Sequence, residues 1–92
     1  EHVLAFSDLK PEAPTHVLVI PRRHVSSLAE VGAGDGELLG RLLLAAAEVA
    51  RREGVDDGGY RLVLNTGRDA GQLVMHLHFH VLGGRGLGWP PG

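Results

Sequence analysis

The stretch MHLHFHVL, residues 75–82, places a histidine at every second position and an apolar residue at every position between. Side chains of an extended segment alternate between two faces, so this spacing predicts a strand with one apolar face and one imidazole face. His76, His78 and His80 would share the imidazole face, with neighbouring Cα atoms roughly 6.7 Å apart. The predicted core-facing residues are Leu77, Phe79 and Val81.

Three imidazoles this close cannot all be charged without penalty. Adjacent imidazolium ions at that spacing repel by about 2.5 kcal/mol at an effective dielectric constant near 20. Near neutral pH we therefore expect a mixed state, in which a neutral ring acts as a base or nucleophile and a protonated neighbour acts as a donor. Displacement at a phosphoryl or acyl centre requires these two roles.

Length and composition point to one small domain over residues 1–92. Eleven acidic and nine basic residues give a formal net charge of −2, which offers no general attraction for nucleic acid polymers or anionic lipid. The chain has no cysteine, which excludes disulfides and thiolate zinc sites and fits a cytoplasmic protein, or a nuclear one in a eukaryote. No apolar run reaches the roughly 20 residues of a membrane span. We expect no cofactor.

The remaining patterns predict an α+β fold. The chain opens on EHVLAF, which is typical of a strand interior and suggests that an N-terminal portion of the domain is missing. Apolar residues at helical spacing indicate one long helix that Asp35 can cap and Gly54 can end. The predicted strands are residues 2–6, 15–20, 60–65 and 75–82, and the predicted helix is 35–53, giving an antiparallel sheet covered by one helix.

A loop with two glycines, residues 66–72, leads directly into the histidine run. Main-chain N–H groups near Gly71 and Gln72 can therefore form an anion cradle beside His78 or His80. His24 follows the second strand, where functional side chains tend to lie, although an ordinary polar residue is as common there. His2 and His16 are expected to be structural or exposed.

The histidine run resembles the signature of the histidine triad (HIT) family of nucleotide hydrolases and transferases. The segments APTHVLVIPRRH (13–24), VLGGR (81–85) and WPPG (89–92) are similar to its Hint branch, the histidine triad nucleotide-binding proteins. The resemblance covers essentially the whole chain. It implies a HIT-like fold, with an antiparallel sheet packed against one long helix and two protomers forming a homodimer.

The resemblance also implies an activity. Family members hydrolyse the P–N bond of purine nucleoside phosphoramidates such as adenosine 5'-monophosphoramidate, with aminoacyl-adenylates as related substrates. The histidine that matches His78 attacks phosphorus and forms a nucleotidyl-imidazole intermediate. The one that matches His80 contacts the phosphate and assists the leaving group. Those that match His76 and His24 orient the nucleophile and relay protons.

The family's nucleotide contacts also fall on positions of this chain. Relatives often carry a hydroxyl or another polar residue where this chain has Leu73, so the resemblance implies only a main-chain contact there. They also have an N-terminal strand and helix that wall the base pocket. The implied contacts are Asp8 with the ribose, Leu9 and Phe6 with the base, Asn65, Gly71, Gln72 and Leu73 with phosphate and sugar, and Trp89 in a tail that reaches toward the other subunit's site.

Two other functions compete with the hydrolase. One is a nucleotide-binding scaffold or regulatory dimer with little turnover. The other is a metalloprotein, because two histidines at i and i+2 on a strand can bind zinc with a third such as His24. His76 and His80 would lie roughly 13 Å apart at Cα, which is too far for one ion to bind the whole triad.

Overall fold

The computed structural model describes residues 2–92 and contains a four-stranded antiparallel sheet with one long helix. The elements are β1 (Val3–Ser7), β2 (Thr15–Pro21), α1 (Gly36–Arg52), β3 (Tyr60–Val63) and β4 (Phe79–Gly83), with short 3-10 turns at Leu28–Glu30 and Ala33–Asp35. The spatial order is β1-β2-β4-β3. The predicted α+β class is confirmed. Glu1, the first residue of the opening stretch, lies outside the described residues.

The two faces of the sheet differ in what covers them. Val19 and Val81 are fully buried on one face, where they pack in one cluster with Leu42 of α1. Residues paired across antiparallel strands share a face, so Leu18 and its partner His80 lie on the opposite one. The helix covers the first face, and the histidine side chains emerge on the second.

Helix α1 presents its apolar stripe to the sheet, as the spacing predicts. Leu42, Ala46 and Ala50 are buried along it. Gly54 follows the helix with a φ of +73°, a left-handed conformation that glycine adopts without steric strain. No helix in residues 2–92 is long and apolar enough to cross a membrane.

The predicted capping role of Asp35 is wrong. Its side chain makes no hydrogen bond to the first turn of α1. The carboxylate instead accepts from the Arg23 guanidinium and from the Gly32 N–H. The hydrogen bond from Arg23 is the main reason that the pKa of Asp35 lies below its usual value. Asp35 therefore ties the end of β2 to the turn before the helix.

The strand that carries the histidines is shorter than the alternation predicts. β4 begins at Phe79, so His80 is the one member of the triad in a strand, and the N-terminal half of the predicted strand is wrong. Continuing the β2–β4 register brings Leu77 opposite Pro21, which has no N–H to donate. The Leu77 N–H donates to the Val25 carbonyl at 2.6 Å instead. Leu77 is nevertheless buried, as predicted.

Other strand boundaries differ by smaller amounts. β3 ends at Val63, two residues before the predicted end at Asn65. Val63 pairs with His80, the second residue of β4. Only Phe79 of β4 remains beyond that pair, so β3 has almost no strand left to pair with. β2 extends through Pro21, which pairs with Val3 of the edge strand β1.

Candidate active site

A groove of about 140 Å³ opens on the sheet face that carries the histidine side chains. Its walls are mostly apolar, and two imidazoles of the triad complete them. The residues that line it are Phe6 from β1, Leu18 and Ile20 from β2, and Val74, His76 and His78 from the segment before β4. Electrostatic interactions are stronger in such partly dehydrated surroundings than in bulk water. The groove therefore combines an apolar contact surface with two polar rings.

The hydrogen bonds of His78 determine which ring nitrogen carries its proton. Nδ1 lies 2.6 Å from the carbonyl oxygen of His76, and a carbonyl oxygen can only accept. Nδ1–H is therefore the donor. A neutral imidazole has one ring proton, so Nε2 keeps its lone pair. His78 is thus arranged to act as a nucleophile or base at Nε2.

His76 is held from both sides of its ring. Its Nε2–H donates to the Pro21 carbonyl at 3.0 Å, which leaves Nδ1 as an acceptor. The Nδ1 of His24 lies 3.4 Å from that acceptor, and the two ring centroids are 5.3 Å apart. We call His24 and His76 the outer pair. The outer pair fixes the orientation of the residue whose carbonyl holds His78.

His16 and His80, which we call the inner pair, are joined more tightly. The main-chain N–H of Glu12 donates to His16 Nδ1 at 3.0 Å, so the single ring proton of His16 is on Nε2. That Nε2–H donates to Nδ1 of His80 at 2.8 Å. His80 consequently carries its own proton on Nε2. Its ring stands edge-on to the His78 ring, with centroids 5.0 Å apart.

Asp8 lies beside the inner pair without forming an ion pair with it. Its Oδ2 is 3.4 Å from His16 Nε2, farther than the acceptor on His80. A doubly protonated His16 would direct its Nδ1–H against the N–H of Glu12, so the ring is neutral. The other carboxylate oxygen accepts from the main-chain N–H of Lys10 at 2.9 Å.

The pKa of His80 lies below the ordinary value of a histidine. Burial is the largest cause, because it disfavours the charged ring. The neighbouring His78 and His16 act in the same direction, whereas the negative charge of Asp8 opposes them. His80 therefore remains neutral at pH values where a free imidazole is partly charged.

A cluster of three potential metal ligands coincides with the inner pair. One ligand atom each from Asp8, His16 and His80 lies within 4.8 Å of the others. Glu12 already donates to one nitrogen of His16, so an ion on the other nitrogen would leave that ring with no proton at all. An imidazolate of this kind is far from the usual neutral ligand. The donor set suits a shared hydrogen bond better than a metal ion.

The residues predicted to contact the base and the ribose differ in how close they lie to the histidines. Phe6 is 47% exposed and lines the groove, and Asp8 joins the inner pair. Leu9, in contrast, is 97% exposed. Asn65 follows β3 and is partly buried. Of these four, Phe6 and Asp8 lie beside the histidines.

The loop predicted to form an anion cradle uses its main-chain donors within itself in this structure. The N–H of Gly71 donates to the Arg68 carbonyl and that of Gln72 to the Gly67 carbonyl. The Gln72 side chain is buried as well, accepting from Gly67 N–H and donating to the carbonyls of Ser26 and Val74. Gln72 therefore fastens the loop to the segment after His24.

Two predicted contacts lie on exposed parts of the surface. Leu73 is 90% exposed and brings no polar side-chain atom to the site. Trp89 is 80% exposed and stacks under the guanidinium of Arg61, which lies 6.0 Å from the ring centroid. Arg61 also donates to the Gly88 carbonyl at 2.9 Å, so the tail is held against β3.

His16 was expected to be structural or exposed, but it is buried and lies against His80. A signal was nevertheless present in the position of His16 within β2. His16, Leu18 and Ile20 occupy alternate positions, and Leu18 pairs directly with His80. Once β2 is paired with β4, His16 must share the face of His80, one diagonal step away.

This sheet, with alternating histidines beside a groove on its uncovered face, defines a histidine triad protein. A model of the HIT domain matches residues 1–87. The chain belongs to the HIT domain family.

Similar proteins have been named or solved in several bacteria. An uncharacterised HIT-like protein of Synechococcus elongatus is 53% identical over 89 residues, which cover 97% of this chain and 77% of that protein. The purine nucleoside phosphoramidase of Escherichia coli strain K12 is 48% identical over 94% of this chain and 72% of its own length. A crystal structure of a HIT family hydrolase from Legionella pneumophila Philadelphia 1 superposes with a TM-score of 0.98 at 47% identity, covering 100% of this chain and 82% of that one.

Proposed function

We propose that this chain is an enzyme that hydrolyses the P–N bond of purine nucleoside phosphoramidates through a covalent nucleotide on His78. One observation carries the proposal: the carbonyl of His76 holds the proton of His78 on Nδ1 and leaves Nε2 unprotonated on a ring that lines the groove. The names of the E. coli phosphoramidase and the Legionella hydrolase support it. No cofactor is required.

The reaction divides into two displacements at phosphorus. First, the lone pair of His78 Nε2 attacks phosphorus, and the P–N bond breaks with its electron pair leaving on the amine, which takes up a proton from solvent that the water of the second step later returns. Water then attacks the nucleotidyl group, and the electron pair of the second broken bond returns to Nε2. One water is consumed, with its hydroxyl on the phosphate and a proton on the amine. Two displacements through a covalent intermediate replace one difficult step.

Side chains around His78 supply the remaining roles. A phosphoryl group on Nε2 would lie against His80, whose ring centroid is 5.0 Å from that of His78. The outer pair, His24 and His76, keeps the attacking ring in position through the His76 carbonyl. A planar base would pack on Phe6 and Leu18, and Asp8 would accept from the ribose hydroxyls, as carboxylates in polar sites do.

Trapping of the intermediate tests the proposal. Purified protein is mixed with adenosine phosphoramidate, quenched in acid-free denaturant and examined by intact-mass spectrometry. We expect a mass increase of one nucleotidyl group in the wild type and none in His78→Ala, whose turnover falls by roughly 10⁴-fold or more. His2→Ala, which removes an exposed histidine outside the groove, should form the adduct as the wild type does. A wild type that turns over without any adduct contradicts the covalent route.

A nucleotide-binding or regulatory role with little turnover is the second candidate. The loop before the histidines favours this role, because it has few hydrogen-bond donors for a leaving group. Leu73 is exposed and apolar, and the N–H groups of Gly71 and Gln72 are bonded within the loop. Calorimetric titration with adenosine monophosphate separates the two. Tight binding with negligible hydrolysis would support the binding role and remove the hydrolase.

We further infer a homodimer. Leu43 and Leu44 on α1 are 48% and 71% exposed, and Trp89 in the tail is 80% exposed, so these apolar side chains are available for contact with a second copy. Sedimentation should give twice the 9.8 kDa chain mass, and Leu44→Glu should shift it toward the monomer. A monomeric wild type at micromolar concentration would end this part of the proposal.

A further inference from the structure

The hydrogen bonds of His80 leave one of its ring nitrogens available to a substrate. We propose that His80 acts as a neutral imidazole that donates from Nε2–H, and that the main-chain N–H of Glu12, acting through His16, holds it in that state. The inference deepens the proposed function and rests on it. His80 would then stabilise a phosphoryl oxygen by a hydrogen bond and keep its proton, in place of the protonated donor that the spacing of the histidines predicts.

The first link of this series is fixed by the backbone. An amide N–H can only donate, so the 3.0 Å contact from Glu12 makes His16 Nδ1 an acceptor. His16 is 6% exposed, and little water reaches the ring to offer other partners. The opposite tautomer of His16 would set two N–H groups against each other on one side and two lone pairs on the other. The backbone therefore selects the Nε2–H form.

The second link transmits this choice to His80. The Nε2–H of His16 donates to His80 Nδ1 at 2.8 Å. A charged His80 would carry a proton on that nitrogen too, and the two N–H groups cannot share so short a contact. Burial disfavours the charge as well, which is the main reason the pKa of His80 is lowered. Geometry and burial act in the same direction.

Other groups that face His80 supply no competing partner for Nδ1. The residue opposite on β3 is the apolar Val63. Arg61, the charged residue of that strand, is engaged by the Gly88 carbonyl. The ring of His78 stands edge-on at 5.0 Å.

Asp8 is the anion beside the inner pair, and it opposes the proposed state. Its negative charge favours a protonated His80, although it is the last of the causes that act on that pKa. Its Oδ2 lies 3.4 Å from His16 Nε2, whereas His80 Nδ1 lies 2.8 Å away. The Nε2–H of His16 therefore donates to His80 Nδ1 and not to Asp8.

The turn that carries the Glu12 N–H is clamped to the end of β4. Arg85 donates from Nη2 to the Glu12 carbonyl at 2.9 Å. Gly84, with a φ of +92°, lies so close to Pro14 that a Cβ would come within 2.8 Å of its ring. The strand that carries His80 therefore also holds the donor that sets its tautomer.

Nitrogen NMR of the wild type tests the proposal without any substrate. With ¹⁵N-labelled histidine, we expect the Nε2 of His80 to show a protonated signal and Nδ1 a lone-pair signal, persisting below the ordinary imidazole pKa of about 6.5. A His80 signal with the proton on Nδ1, or one that becomes doubly protonated at or above that pH, overturns the proposal. Because no turnover is measured, failure of the phosphoramidase assignment would leave this result standing.

A pair of variants at one position tests the role of the backbone donor. Glu12→Pro removes both the carboxylate and the N–H, whereas Glu12→Ala removes the carboxylate alone. We expect Glu12→Pro to lose the wild-type ¹⁵N pattern of His80 and to shift the acid limb of the kcat–pH profile upward by about one unit. Glu12→Ala should keep the wild-type tautomer. If a folded Glu12→Pro protein retains both the tautomer and the profile, the amide of Glu12 has no such role.

Discussion

The inner and outer histidine pairs use the same side chains in different surroundings, and the difference assigns them different tasks. The inner pair is joined at 2.8 Å and includes a ring that is 6% exposed and fixed by a main-chain donor. The outer pair spans 3.4 Å, and its members are the exposed His24 and the partly buried His76. A short buried contact can set a charge state, whereas a long exposed one can only orient a neighbour.

Removing one ring from each pair should give the largest contrast. We expect His80→Ala to lower kcat by about 10²- to 10³-fold, because the phosphoryl oxygens lose a donor in a partly dehydrated groove. His24→Ala should lower it by less than about 10-fold, since His76 keeps its bond to the Pro21 carbonyl. Steady-state kinetics with adenosine phosphoramidate measures both. Equal losses would remove the distinction between the pairs.

Within the inner pair, the identity of the donor can be tested at His16. His16→Ala leaves His80 Nδ1 without its partner, and we expect a loss in kcat of roughly 10- to 100-fold. His16→Gln retains a side-chain N–H and should recover part of that loss. If the glutamine variant is no better than alanine, the effect of His16 comes from packing.

Gln72 holds the loop against the segment that follows His24 of the outer pair, and its contribution to stability can be measured. Gln72→Ala leaves the carbonyl of Ser26 and the N–H of Gly67 without their side-chain partner in a buried setting. We expect a loss of about 1–3 kcal/mol in the free energy of unfolding, measured with urea. The exposed Arg68→Ala is the matched control and should change it by less than about 0.5 kcal/mol. A Gln72 variant as stable as that control would show that these bonds contribute nothing.

The smallest expected effect is the pH dependence of stability from His80. Its pKa in the folded state is lowered, so the unfolded chain binds more protons at pH values between the lowered pKa and the ordinary one near 6.5. The contribution of His80 is therefore present above pH 6.5 and is lost as the pH falls through the folded-state pKa. Urea unfolding from pH 7.5 to pH 5 should show a weaker decline in His80→Phe than in the wild type. An identical decline in the two would contradict this assignment.

Periodicity was enough to predict most of the fold. The alternation of the histidine run and the helical spacing of α1 both bury the side chains that the patterns select, Val81 and Leu42 among them. Periodicity did not predict where β4 begins. That boundary depends on Pro21 across the sheet, a pairing that no local pattern contains.

The site was harder to predict from the sequence than the fold. The triad itself is visible as a spacing, but the place of His16 follows only from the pairing of β2 with β4. The sequence did not show that Gly71 and Gln72 satisfy their N–H groups inside the loop, because local turn bonds of that kind depend on three-dimensional closure. Tautomers likewise follow from partners distant in the chain, such as Glu12 and its contact with His16.

Pro21 lies at the point where the pairing of β2 with β4 ends and the hydrogen bonds that hold His76 and His78 begin. An ordinary residue at this position would offer the N–H that lets β2 and β4 continue pairing through Leu77, and its carbonyl would accept from the Leu77 N–H. Because the pairing stops before the imino acid, the Pro21 carbonyl accepts from the His76 ring instead, and the His76 carbonyl holds His78. Growth of the sheet and preparation of the attacking nitrogen thus do not compete for the same atoms.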